Sequence, residues 1–260
     1  MHTLFFDFDG TLRVPETNEV SKETIQNLRT LRKEGNLIFI NTGRCFSSLE
    51  GQAKDLPLDG VICGCGTYIR YRGQILYEVQ ATSIQKERVL KALRTCRLDA
   101  FLEGHGGLFV DQTYSDQLNQ VISFFKRMNV NMLSTEDPSF AFSKMSLYYT
   151  DQEQKDEFEN LLKEDFDFIN FPNLKAEAVL KGHSKASGMR MLLKELSLPC
   201  STSIAFGDSD NDMEMLKEAN CSVLIGEHAP HLQELADLKA PSAKEEGISW
   251  ALRKLNLIEE

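Results

Sequence analysis

Residues 4–12 read LFFDFDGTL, an apolar run that ends in Asp7 and Asp9, two positions apart, and then breaks into Gly10-Thr11. Two carboxylates this close raise each other's free energy, so the surroundings must supply a counter-charge or a proton. Three further stretches hold what the pair lacks. Asn41-Thr42-Gly43-Arg44 follows a second apolar run and offers a hydroxyl, a small turn residue and a guanidinium. Lys185, in GHSKAS, opens a segment with helical apolar spacing and brings an ammonium. GDSDND (207–212) places Asp208, Asp210, Asn211 and Asp212 directly after another apolar run. Each piece alone has a plainer reading, since Asp-Gly is a common turn and Thr42, Asp208 or Ser209 could cap a helix. Together they supply oxygen donors for a hard divalent cation, with a hydroxyl and cations for an anionic group.

The elements around these stretches must bring them together. Residues 3–8 read as a strand, and Ser21 can cap a helix in which Ile25, Leu28 and Leu31 recur at helical spacing until Gly35. A second strand over 37–40, a helix from about Arg44 and a third buried strand over 59–64 follow. Strands joined through helices of this length pair in parallel by right-handed crossovers. Residues 67–78 read as a hairpin that bends at Arg72-Gly73. The last third resumes the alternation, with a helix over 185–196, a strand over 201–208 and a Met- and Leu-rich helix. A strand over 222–226, a short helix and a closing helix near 246–256 complete it. From Thr82 to Gly182 the order differs: helices over 83–96, 116–128 and 151–163 accompany strand-like KMSLYYT, FDFIN and AEAVL. The expectation is a doubly wound α/β core from residues 1–81 and 183–260, with an α+β domain, 82–182, inserted between its halves. Open parallel sheets gather ligands beyond the carboxyl ends of their strands, where these motifs fall.

Acidic residues outnumber basic ones 39 to 29 in the 260-residue chain, giving a net charge of −10. That balance argues against a nucleic-acid or anionic membrane surface, so an anionic ligand needs local attraction from a metal and a few placed cations. The first ten residues lack the basic start and cleavage site of a signal peptide, and no apolar run approaches the roughly 20 residues of a membrane span. A cytoplasmic protein is the expectation. The six cysteines are scattered, with only Cys63 and Cys65 close-set, and no zinc spacing occurs. Reduced structural thiols are expected. His105, in EGHGG, could line a pocket or sit on an exposed loop. His183 falls near the expected hinge, and His228 and His231, without an acidic partner at ligand spacing, read as surface residues. No dinucleotide fingerprint or Walker-type loop is completed. No exposed stripe marks an interface, which leaves the oligomeric state open.

DFDGT, NTGR, the Ser-Lys of GHSKAS and GDSDND resemble the four motifs of the haloacid dehalogenase-like phosphatases. Their order, and the insertion after the second motif, are similar to the Cof-type subfamily with its α/β cap. The resemblance spans essentially the whole chain. It implies a Rossmann-like core and a Mg2+-dependent phosphatase for small phosphorylated metabolites such as sugar phosphates, with a cap that closes over the strand ends. It casts Asp7 as a nucleophile forming an aspartyl-phosphate, and Asp9 as the acid for the leaving oxygen and then the base for water. Strand alternation is expected to put both on one side. Thr42 and the Gly43 amide would bind phosphoryl oxygens, and Lys185 would offset the charge of Asp7 and the phosphoryl group. Asp208 would hold the metal beside the Asp7 carboxylate and the Asp9 main-chain carbonyl. Asp212 would orient metal-bound water or Lys185, and Asn211 would donate to phosphate or to a neighbouring group. Arg44 either reaches substrate or pairs with a surface acid. Selectivity is expected in insert loops around 101–112 and 140–149. One departure is Cys65-Gly66, where these proteins commonly carry Asn-Gly before the hairpin. A phosphomutase on the same scaffold remains an alternative. So does a non-catalytic regulatory module, although such a protein has no need to keep the acids, Thr42 and Lys185 together.

Overall fold

A computed structural model describes residues 1–127, 130–171, 173–228 and 230–259. In chain order the elements are β1 (Thr3–Phe6), α1 (Lys22–Lys33), β2 (Leu37–Asn41), α2 (Phe46–Ala53), β3 (Gly60–Cys63), β4 (Tyr68–Tyr71) and β5 (Gln74–Glu78). Next come α3 (Ser83–Cys96), β6 (Asp99–Gly104), β7 (Gly107–Val110), α4 (Asp116–Arg127), β8 (Met132–Ser134), β9 (Lys144–Tyr148), α5 (Gln152–Leu162), β10 (Phe166–Phe171) and β11 (Lys175–Leu180). The last stretch holds α6 (Lys185–Glu195), β12 (Ser203–Gly207), α7 (Met213–Glu218), β13 (Cys221–Ile225), β14 (Leu238–Ala240) and α8 (Gly247–Lys254). The chain divides into one body of residues 1–43, 55–77 and 184–260, and a second of residues 44–54 and 78–183.

The first body is an eight-stranded sheet in the order β14-β13-β12-β1-β2-β3-β4-β5. Pairing is parallel from β14 to β3, and β4 then runs antiparallel to β3. Every residue of β1 is buried, as expected of a strand covered on both faces. Phe5, Phe39, Ile62, Ala205 and Leu224 pack against Met189 and Leu192 of α6 and Met215 and Leu216 of α7. Helices α1 and α8 contact each other, and Ser21, the N-cap of α1, accepts from Thr24 N and donates to Glu246 at 2.7 Å. β1 is thus central, flanked by β12 and β2, so three of the motifs are carried by adjacent strands.

The second body is a six-stranded sheet, β10-β11-β9-β6-β7-β8, antiparallel except for β7 with β8. Ala100, Leu102, Met145, Leu147, Ala176 and Ala178 form a core with Val89 and Leu93 of α3 and Phe158 and Leu162 of α5. A separate cluster joins Cys45, Phe101, Leu108 and Leu118. Three sequence expectations change here. Residues 101–112, expected as loop, contribute most of the β6–β7 hairpin, in which Leu102 pairs with Phe109 across a turn made by the glycines of EGHGG. Likewise, half of 140–149 belongs to β9. Residues 44–54 group with this body rather than the first, because Cys45 joins its core and Ser47 Oγ donates to Gly104 O at 3.0 Å. Residue 128, the expected end of α4, lies outside the described residues.

Candidate active site

Asp7 stands one residue beyond β1, and its N–H still donates to Phe206 O of β12 at 2.9 Å. The chain then turns sharply, since Leu12 N and Arg13 N both donate to Phe8 O, at 3.1 and 2.8 Å. Gly10 has φ +91°, and a Cβ there would lie 2.6 Å from Asp208 Oδ2, so glycine answers both the backbone and the space. The neighbouring Thr11 is fully buried and donates its hydroxyl to Asp208 Oδ1 at 2.5 Å. The Asp-Gly-Thr segment therefore wraps the carboxylate of a residue far along the chain. The same turn ends the strand alternation expected to align Asp7 with Asp9. The Asp9 carboxylate instead receives the Arg13 guanidinium, with Nε at 2.8 Å, and is not among the clustered side-chain carboxylates.

Lys185 occupies the first position of α6 because Ser184 caps that helix in a reciprocal capping box with Ser187. It is only 1% exposed, and its Nζ lies 2.6 Å from both Asp7 Oδ1 and Asp212 Oδ1. Asp212 is fully buried, and its other oxygen accepts from the N–H groups of Asp208 and Ser209, each at 3.1 Å. One oxygen thus shapes the loop after β12 while the other holds the ammonium.

Asp7, Asp208 and Asp212 each present an oxygen within 4.8 Å of the others. Burial pushes Asp7 well above the ordinary carboxylate range, against the pull of Lys185 and with the help of Asp212 and Asp208. Burial also lifts Asp208, with Asp212 adding to it, to about 6. For Lys185, burial alone would lower the value, but Asp212 and Asp7 together carry it above that of an ordinary lysine. One firmly held ammonium therefore faces three crowded carboxylates. A donor set of oxygens with excess negative charge fits a hard divalent cation such as Mg2+, and Asp7 and Asp208 are the side chains that would hold it. Gly10 and Asp208 also line a cleft of about 600 Å3 on this body, bordered by Glu16, Gly226 and Lys244.

Thr42 and Gly43 follow β2 directly. Thr42 is buried, donating its N–H to Ile62 O at 2.9 Å and accepting from Cys65 N at 3.1 Å. Asn211 lies in the turn of residues 210–212 and accepts from Ser209 Oγ at 3.0 Å. Arg44 belongs to the second body, where its guanidinium donates to Ser48 O at 3.4 Å. His105 pairs with Glu78 at 2.5 Å. His231, expected to lack an acidic partner, meets Asp210 at 2.7 Å on the surface, a pairing across 21 residues that local spacing does not reveal. Sequence reasoning missed the contacts of Thr11 with Asp208 and of Arg13 with Asp9. Only Arg13, four residues after Asp9, carried a local signal.

The profile of the haloacid dehalogenase-like hydrolases matches residues 4–252. The Bacillus subtilis (strain 168) protein YkrA, which carries a provisional phosphatase name, is 24% identical over 272 residues, covering 98% of each chain. The HMP-PP phosphatase of Yersinia pseudotuberculosis is 26% identical over 241 residues, covering 90% of this chain and 87% of its own. Among solved structures, BT1666 of Bacteroides thetaiotaomicron, described among phosphatases of the superfamily, superposes with a TM-score of 0.86 at 26% identity, over 99% of this chain and 96% of its own. The motifs at the strand ends, the doubly wound sheet and the profile agree, and the chain belongs to the haloacid dehalogenase-like hydrolases of the Cof type.

Proposed function

We propose that this phosphatase hydrolyses small phosphorylated metabolites, sugar phosphates among them, through an aspartyl-phosphate on Asp7. One observation carries the reading: Asp7 shares a buried ammonium with Asp212 and lies with Asp208 within the span of a single cation. The class of substrate draws support from a relative whose name points to a small phosphorylated compound.

A carboxylate oxygen of Asp7 attacks phosphorus while the bond to the leaving oxygen breaks, and Asp9 passes its proton to that oxygen. Asp9 then takes a proton from water as the water oxygen attacks phosphorus. The acyl-phosphate P–O bond breaks, returning the Asp7 carboxylate and releasing orthophosphate. Arg13 engages Asp9 through Oδ1, so the proton is exchanged through the other carboxyl oxygen or after Arg13 releases the group. Thr42 and the Gly43 amide hold the phosphoryl oxygens, with Asn211 as a further donor, and Lys185 offsets charge on Asp7 and the phosphoryl group. Arg44 is a further candidate for binding the substrate. Asp7 and Asp208, with the Asp9 main-chain carbonyl, would hold Mg2+, which would supply the charge neutralisation that lets a carboxylate approach a phosphate ester.

The test is a panel of phosphorylated metabolites with Mg2+, read for both inorganic phosphate and isomerised product, for the parent and Asp7→Asn. The variant keeps the side-chain shape and should lose at least about a thousandfold in kcat. Persisting phosphate release would remove Asp7 from the reaction, and isomerised product without phosphate would make the enzyme a mutase.

A further inference from the structure

β2 ends in Asn41, directly before Thr42, and this side chain is fully buried. Its Nδ2 donates to the main-chain oxygen of Lys185 at 2.8 Å and to Met215 Sδ at 3.1 Å, while its Oδ1 meets no hydrogen-bond partner among the described residues. A buried amide with an unsatisfied acceptor is less favourable than an apolar side chain of the same shape, so stability alone does not account for it. What the amide does is join the end of β2 to the first turn of α6.

A second brace runs beside it. Gly64, Cys65 and Gly66 all have positive φ, a run that carries the chain tightly between Thr42 and α6. Cys65 N donates to Thr42 O at 3.1 Å, and a Cβ on Gly66 would lie 2.5 Å from Ser184 O and 3.0 Å from Gly188 N. The Thr42 turn, the 64–66 turn and the start of α6 therefore meet backbone to backbone. Because the Lys185 side chain is itself buried, its ammonium cannot swing to compensate for a shift of the helix.

We propose that Asn41 is a positioning residue that fixes the first turn of α6, so that Lys185 Nζ reaches Asp7 and Asp212 in register with Thr42. The inference rests on the reading of Asp7 as nucleophile beside Lys185. Asn41→Leu tests it, having similar volume and no polar atom. The expected result is a thermal midpoint equal to or above the parent's, KM within about twofold, and kcat lower by about ten- to a hundredfold. An amide that serves only folding gives the opposite pattern, a lower midpoint with parental kcat per folded molecule, and overturns the proposal. So does parental kcat in a fully stable variant. Should Asn41→Leu fail to fold, Asn41→Ala carries the same readout: lower kcat at unchanged KM supports the proposal, and parental kcat overturns it. Asp7→Asn is run in parallel. Loss of turnover there, with parental kcat in the Asn41 variant, overturns this inference alone. Retained turnover there overturns the underlying reading and this inference with it.

Discussion

Thr11 and Asp208 stand 197 residues apart in sequence, yet one hydroxyl proton links them at the centre of the carboxylate cluster. The bond aims Asp208 and favours its ionised form against burial and Asp212. Thr11→Val removes the hydroxyl and keeps the shape, so it should raise the Mg2+ concentration for half-maximal activity by about ten- to a hundredfold. A Mg2+ titration of phosphate release measures this, and an unchanged half-saturation point would show that the hydroxyl does nothing for the cation. The cluster also sets a pH dependence. Asp208 titrates near 6 in the fold, above the value it has when unfolded, so its favourable contribution belongs to the protonated form and is lost as pH rises through about 6. A cation relieves that loss by replacing the proton. Saturating Mg2+ should therefore raise the thermal midpoint more at about pH 7.5 than at about pH 5, relative to chelated protein. Equal increments at the two pH values would mean that no proton competes with Mg2+ at Asp208. The acids, Thr42 and Lys185 were legible as residue types at strand and helix ends. Their partners were less so. Asp9 facing Arg13 depends on a turn that begins at Phe8, and the amide of Asn41 finds its role only when α6 is laid against β2.

At the scale of elements, the helices that frame the sheet are specified locally. Ser21 was readable as the start of α1 because its side chain can satisfy an orphan N–H of the first turn. In the fold it does that and also donates to Glu246, which precedes α8. Ser21→Ala should cost about 1–2 kcal/mol of folding stability and leave kcat unchanged, because nothing in the carboxylate cluster touches it. Denaturant midpoints alongside turnover check this, and a matching loss of kcat would tie the α1–α8 corner to catalysis. The parallel strands were legible for a related reason: β1, β2, β12 and β13 are apolar runs bounded by turn residues. β6 and β7 were not, because three glycines and a histidine at their junction, residues 104–107, interrupt the apolar pattern and read as loop. Short β8 and β14 give three residues each, too few for a period to show.

For the whole molecule, the two ends of the chain make one sheet, and the pairing of β1 with β12 had to be inferred from order alone. The assignment of residues 44–54 to the second body follows from packing that no composition shift announces. The net charge, by contrast, is fully legible, and it bears on how substrate arrives. At −10 the protein repels a phosphate ester at long range, while the buried Lys185 ammonium, paired with two carboxylates, projects little field outward. Screening acts over a Debye length of about 30 Å at 0.01 M salt and about 8 Å at physiological salt. With Mg2+ held saturating, kcat/KM for a phosphomonoester should therefore rise over that range, while kcat, set after binding, stays level. Steady-state rates across a KCl series measure both constants. A fall in kcat/KM with added salt would instead show that the cations near the phosphoryl site outweigh the field of the whole, so that attraction at the strand ends already reaches into solvent.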